Sequence, residues 1–197
     1  VAAVLDSAVL DFKVRTIAVI GAGTAGRSIA QLSALGGFST VLEDILPASL
    51  RRAGNEIRAA LDQALARGTI TPAAANAALA RIEYASSVEQ AARAADLIIE
   101  AIPDEWESKN EIFTLLDKVA KPGTIFASTT LEFSISELAA VTYRAKKILG
   151  LRFTLPIERP QLLEIVRGRE TDDATVAACA RVGERMGLKV VIVGCDN

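Results

Sequence analysis

Six residues near the start of the chain, Gly21-Ala22-Gly23-Thr24-Ala25-Gly26, spell G-x-G-x-x-G directly after the apolar run Arg15–Ile20. In that setting each glycine has its own task. The first permits a tight turn, the second lets a pyrophosphate approach the backbone, and the third lets the next helix pack closely on the strand. The N–H groups and positive dipole end of that helix, starting at Thr24 and Ala25, then face the phosphates. Asp44 follows 18 residues after Gly26, at the end of the next apolar run. A carboxylate there accepts hydrogen bonds from both hydroxyls of an adenosine ribose and repels a 2′-phosphate, so the pattern reads as a site for NAD rather than NADP. Glycines at this spacing also occur in ordinary turns, and it is the strand–loop–helix context with the acid that gives them meaning. Glu43 could share the ribose role, although strand alternation points it to the opposite face.

Other side chains offer less. The chain contains no histidine, which removes the commonest metal ligand and the side chain best suited to proton transfer near neutral pH. Cys179 and Cys195 show no ligand spacing, so no metal site is expected. Tyr143 and Lys147 spell Y-x-x-x-K, a proton-donor pair only when both lie on one helical face. Here Lys147 begins a strand, which separates them. Asp104, Glu105 and Glu107 form the acidic first turn of a helix, where they favour its dipole, and Asp104 also stands where it would order the cofactor cleft. Trp106 reads as a packing residue at that helix start, with adenine stacking as the alternative. Arg159, Arg167 and Arg169 read as scattered surface charge, or as contacts for CoA phosphates.

The elements that must position these groups alternate in type. Strands are expected at Arg15–Ile20, Thr40–Asp44, Arg81–Tyr84, Asp96–Ile102, Thr124–Ser128, Lys147–Leu151, Leu162–Arg167 and Lys189–Val193. Helices fit between most of them. One begins near Pro47 with an apolar stripe of Leu50, Ala53, Ile57, Leu61, Ala64 and Leu65, and Gly68 stops it. Thr71–Pro72 then reads as an N-cap followed by proline at the first helical position, so the two helices form a hairpin inserted between strands. Alternating strands and helices imply right-handed βαβ units and a mainly parallel, Rossmann-type doubly wound α/β sheet. The 197 residues, 51% apolar with a net charge of −2, suit a single domain with a sizeable core and argue against a dedicated nucleic-acid binder. No membrane span is expected, and two cysteines fit a reducing cytoplasm.

Taken together, IAVIGAGTAGRSIA (17–30), RGTITPAAANAALARI (67–82), DLIIEAIPDEWESKNEIF (96–113), ILGLRF (148–153) and LLEIVRG (162–168) resemble the NAD-binding domain of the L-3-hydroxyacyl-CoA dehydrogenase family. The likeness runs over nearly the whole chain from about Lys13 and divides it into an N-terminal extension, 1–14, and an NAD-binding domain, 15–197. It implies an eight-stranded sheet, parallel except at one edge. It implies oxidation of the 3-hydroxyl of a small-molecule substrate of acyl-CoA type, and a homodimer is an option for the full-length protein. The family's C-terminal helical domain is absent from these residues, and with a first residue other than Met the expectation is a piece of a longer gene product. Carried over by position, Gly21, Gly23 and Gly26 match the phosphate loop, with Ala25 in place of a methionine, and Asp44 matches the ribose acid. Ala101 and Ile102 line the wall after the fourth strand, Asp104 stands where a glutamate is usual, and Lys109 matches a lysine near the nicotinamide end.

The same resemblance exposes departures. The family's catalytic histidine is Arg152 here, its asparagine is Leu155, and its substrate-contacting serine is Leu131 within Thr129-Thr130-Leu131-Glu132; Glu164, the partner of the histidine, remains. A guanidinium cannot serve as a general base near neutral pH. Arg152 therefore either pairs with Glu164, binds an anionic substrate or CoA phosphate, or is a solvated surface residue. Glu132 is the one new acid near the expected nicotinamide end that could replace the lost base, provided burial raises its pKa. The expectation is thus an oxidoreductase domain with its usual acid–base pair replaced, the alternative being a non-catalytic NAD-binding sensor or partner subunit.

Overall fold

In the computed structural model, residues 14–154 and 162–195 are described, and eight strands form one sheet in the order β3-β2-β1-β4-β5-β6-β7-β8. Leu155, Arg159 and nearly all of the N-terminal extension lie outside the described residues. The strands are β1 Thr16–Ile20, β2 Ser39–Glu43, β3 Ile82–Ala85, β4 Leu97–Glu100, β5 Ile125–Ser128, β6 Ile148–Phe153, β7 Leu162–Arg167 and β8 Lys189–Cys195. The first six are mutually parallel; β7 runs antiparallel to β6, and β8 follows β7. The expected eight-stranded sheet with one reversed edge is the one formed.

Alternation along the strands divides the core in two. Ile17 and Val19 of β1 enter one layer under α1 (Thr24–Leu35), α2 (Pro47–Ala66), α3 (Pro72–Ala80) and α7 (Asp173–Arg185). Ala18 and Ile20 enter the other, under α4 (Val88–Ala92), α5 (Trp106–Val119) and α6 (Ile135–Ala140). The helical hairpin between β2 and β3 is α2–α3. Ala53, Ile57 and Leu61 are its buried stripe, and the Thr71 hydroxyl caps α3 by accepting from Ala74 N–H. Buried Cys179 on α7 belongs to the first layer, where loss of solvation pushes its thiol up to about 12.

Several strand boundaries differ from expectation, two of them for a clear local reason. β4 stops at Glu100 because the chain folds back on itself: Ile102 N–H donates to the Glu100 carboxylate at 2.8 Å. Lys147 closes a single 3₁₀ turn, Ala145–Lys147, instead of opening β6, and Tyr143 before it is fully exposed. Tyr143 and Lys147 therefore share no helical face.

The sheet order reverses direction between β1 and β4, and ligands of open α/β sheets bind outside the strand ends at such a switch point. The loop at that point is set by backbone contact. Gly21 has φ +99°, and a Cβ on it would lie 2.8 Å from the Ala101 carbonyl oxygen. On Gly26 a Cβ would lie 1.8 Å from the Gly21 carbonyl oxygen. Gly26→Ala must therefore drive α1 away from the loop, and we expect a loss of more than about 3 kcal/mol of unfolding free energy in urea melts.

Candidate functional site

At the switch point a cleft of about 720 Å³ opens, lined by Gly21, Gly23, Glu43, Asp44, Ala101 and Ile102 among others. That volume lies in the range of small-molecule and cofactor sites. The start of α1 forms one wall. Its N-cap is Gly23, which has no side chain to occupy the free N–H groups, and no acid stands in the first turn. Thr71, Ser87, Ser134 and Asp172 cap other helices with side-chain oxygens. Gly23 has an ordinary backbone (φ −69°), and a Cβ there would meet nothing within 4 Å. Neither conformation nor packing asks for glycine at this position. An anionic group approaching the backbone would, so the loop fits a dinucleotide diphosphate.

Asp44 stands one residue beyond β2, and its carboxylate reaches back to the loop. One oxygen accepts from Ala22 N–H at 3.0 Å and the other from Leu46 N–H at 2.9 Å. This holds the acid at the mouth of the cleft, beside the glycine loop. Glu43 does not point away from the site. Because β2 ends at Glu43, strict alternation no longer governs Asp44, and both carboxyl groups line the same cleft.

Sequence reasoning singled out Lys109 but passed over its buried partner Glu100. Glu100, the last residue of β4, and Lys109 on α5 are both wholly buried and 2.7 Å apart. The Lys109 ammonium also reaches the Asp104 carboxylate at 3.1 Å and the Ile102 carbonyl at 3.3 Å, and Ser128 Oγ donates to Glu100 at 2.6 Å. Lys109 is thus an internal counter-ion beneath the cleft and is not among its lining residues. Asp104 in turn accepts from Leu131 N–H at 3.1 Å, joining the loop after β4 to the loop after β5. Burial alone would raise the Asp104 carboxyl, but the Leu131 N–H, the Thr130 hydroxyl and Lys109 outweigh it and hold the group below the usual carboxylate range. The one signal in the sequence was an acid closing the apolar run Leu97-Ile98-Ile99.

Arg152 and Glu164 are directly opposed in the antiparallel β6–β7 pairing and so share a sheet face. The expected ion pair is not formed: among the described residues no Arg152–Glu164 salt bridge occurs, and Arg152 Nε donates instead to the Thr130 carbonyl at 3.2 Å. Glu132 is exposed, without the burial a base role requires. Trp106 packs on Phe133 with ring centroids 5.5 Å apart and is not among the cleft-lining residues. Among the described residues no cluster of three or more His, Cys, Asp or Glu is placed to hold a metal, and no helix is long and apolar enough to cross a membrane.

A doubly wound sheet with a glycine loop and an acid at its switch point defines a dinucleotide-binding domain. The family described as "3-hydroxyacyl-CoA dehydrogenase, NAD binding domain" matches residues 16–196, and the chain belongs to it, with NAD as its cofactor. It is 36% identical over 179 residues to a 3-hydroxybutyryl-CoA dehydrogenase of Bradyrhizobium diazoefficiens, covering 91% of this chain and 61% of that protein. A probable 3-hydroxybutyryl-CoA dehydrogenase of Bacillus subtilis is 33% identical, with 92% and 63% covered. The crystal structure of an (S)-3-hydroxybutyryl-CoA dehydrogenase from Ralstonia eutropha superposes with a TM-score of 0.89 at 33% identity, over 93% of this chain and 65% of that one. The chain thus spans about six-tenths of the relatives it matches.

Two stability tests follow from these charges. Lys109→Met leaves Glu100 buried without its cation, and should cost about 3–5 kcal/mol in denaturant melts. Burial, and then the nearby Asp44 and Glu89 carboxylates, push Glu43 up to about 7. Its value in the unfolded chain is near ~4.3, so the folded state holds an extra proton between the two. That stabilisation is complete below the unfolded value and is lost as pH rises through about 7. Thermal melts of Glu43→Gln should accordingly match the wild type at about pH 4 and exceed it at about pH 8.5.

Proposed function

We propose that this chain is the NAD-holding part of an oxidoreductase acting on a 3-hydroxyacyl-type substrate, an acyl-CoA. The observation that carries the reading is the open space over Gly23 at an uncapped helix start, beside an acid already fixed by the loop. In this assignment Gly21, Gly23, Thr24, Ala25 and Gly26 form the diphosphate cradle, Gly21 and Gly26 by shaping it and the others by lending backbone N–H groups. Asp44 accepts from the adenosine ribose hydroxyls, and Ala101 with Ile102 forms the opposite wall. When bound, NAD supplies the hydride acceptor or donor.

The substrate end lies beyond Asp104, toward Thr130, Leu131, Arg152 and Glu164. Lys109 and Asp104 act as positioning residues there, pinning the two loops that border the site. Arg152, anchored through Nε on Thr130, sets a permanent positive charge at the rim and attracts an anionic part of the substrate. It cannot remove the hydroxyl proton. That same replacement favours the second reading, an NAD-binding sensor or partner subunit without turnover. Buried Cys179 carries a free thiol, which suits a reducing compartment, and we assign the protein to the cytoplasm.

The test is an NADH fluorescence titration followed by an acetoacetyl-CoA reduction assay on the full-length protein. NADH should bind more tightly than NADPH. Asp44→Asn and Gly23→Ala should fold like the wild type yet weaken NADH by about tenfold or more, the loss of one or two good hydrogen bonds. Turnover supports the oxidoreductase, binding without turnover supports the sensor, and an absence of binding removes both.

A further inference from the structure

Glu43 is the group at this site that the fold does not explain. It is 2% exposed, at the end of β2, and its Oε1 is buried with no hydrogen-bond partner among the described residues. Yet it lines the cleft, as Asp44 and Ile102 do. A buried polar atom left unpaired costs roughly 1–3 kcal/mol, and such an atom beside a binding cleft is satisfied most simply by what the cleft holds. We propose that the Glu43 carboxyl contacts the adenosine half of the dinucleotide from the floor of the cleft, as a hydrogen-bond-donating acid beside the ribose-binding Asp44. The inference rests on NAD occupying this cleft.

The two neighbouring carboxyl groups sit in different surroundings. Asp44 is partly open to solvent, and its two oxygens accept from the Ala22 and Leu46 N–H groups. Glu43 lines the cleft together with Ile20 and Val88, has Asp44 as its chain neighbour, and meets the charge of Glu89 from α4. Around the cleft the other charged groups are Arg52 on α2 and Glu105 and Glu111 at α5. The setting keeps Glu43 neutral through the lower half of the physiological range, so it can offer an O–H to an adenine ring nitrogen or a ribose oxygen. Once ionised, Glu43 loses that donor and sets a further negative charge near the diphosphate. Dinucleotide affinity therefore falls as pH rises, a dependence built into the floor of the site and separate from any proton in the redox chemistry.

The experiment measures binding by calorimetry at about pH 6 and about pH 8.5, with NADH and with ADP-ribose, which lacks the nicotinamide and has no group titrating in that interval. For the wild type, both ligands should bind roughly tenfold or more weakly at the higher pH, as expected when only the acid form of a group with a value of about 7 is competent. Glu43→Gln keeps a donor without the charge, and should flatten the profile at the tight-binding level. As a measurement independent of any variant, carbon NMR of side-chain-labelled wild type should show the Glu43 titration moving upward when ADP-ribose is added. A flat wild-type profile, a slope retained in Glu43→Gln, or a Glu43 titration that ADP-ribose does not move overturns the contact while leaving NAD binding intact. A wild type that binds neither ligand at either pH overturns the occupancy of the cleft itself.

Discussion

The site depends on how closely α1 can approach the loop that feeds it. At Gly26 the helix backbone lies so near the Gly21 carbonyl that even one methyl group would overlap it. That approach brings the start of α1 to the end of β1, where the sheet changes direction, and turns Gly21 against Ala101 at the end of β4. Two strands that diverge from the switch point are thereby tied into one wall. Asp44 adds a third, since its carboxylate holds Ala22 N–H from the end of β2. A tight turn, a close packing contact and a carboxylate clasp together make an anion-binding helix start into a site with two ends.

Beneath the cleft, a second constraint fixes the loops. Two opposite charges wholly removed from water are costly, and they persist only when each lone pair and proton finds a partner. Glu100 and Lys109 meet that condition through Ser128, Ile102 and Asp104. The outcome is positional: the loop after β4 and the loop after β5 are held in one arrangement by a chain of bonds running to Leu131 and, through Thr130, to Arg152. These two loops thus rest on a buried polar network. Arg152 belongs to that network and not to a pair with Glu164.

Much of this was readable from residue order because it is local. The glycine loop, the Thr71 cap, the stop at Gly68 and the apolar stripe of α2 are each decided within a few residues, and the structure forms them where the spacing puts them. The mainly parallel sheet followed from alternating elements and handedness, and its eight strands with one reversed edge from the family resemblance. What could not be read depends on distance in sequence. Nothing near Glu100 announces Lys109 nine residues later as its buried partner, since both types are ordinarily solvated. Glu43 was read by strand alternation, which fails one residue later, where β2 ends and the chain bends to bring Asp44 alongside it. Arg152 and Glu164 were correctly placed as neighbours, but adjacency across a ladder does not dictate which acceptor a long side chain selects.

Cys179 sits in the packed layer under α7 with its thiol held far from ionisation. A sulfur so shielded is mute toward oxidants and alkylating agents for as long as the domain stays closed. Its chemical silence is therefore a property of tertiary packing, not of the residue. Any covalent mark found on that sulfur records that α7 had already come away from the sheet.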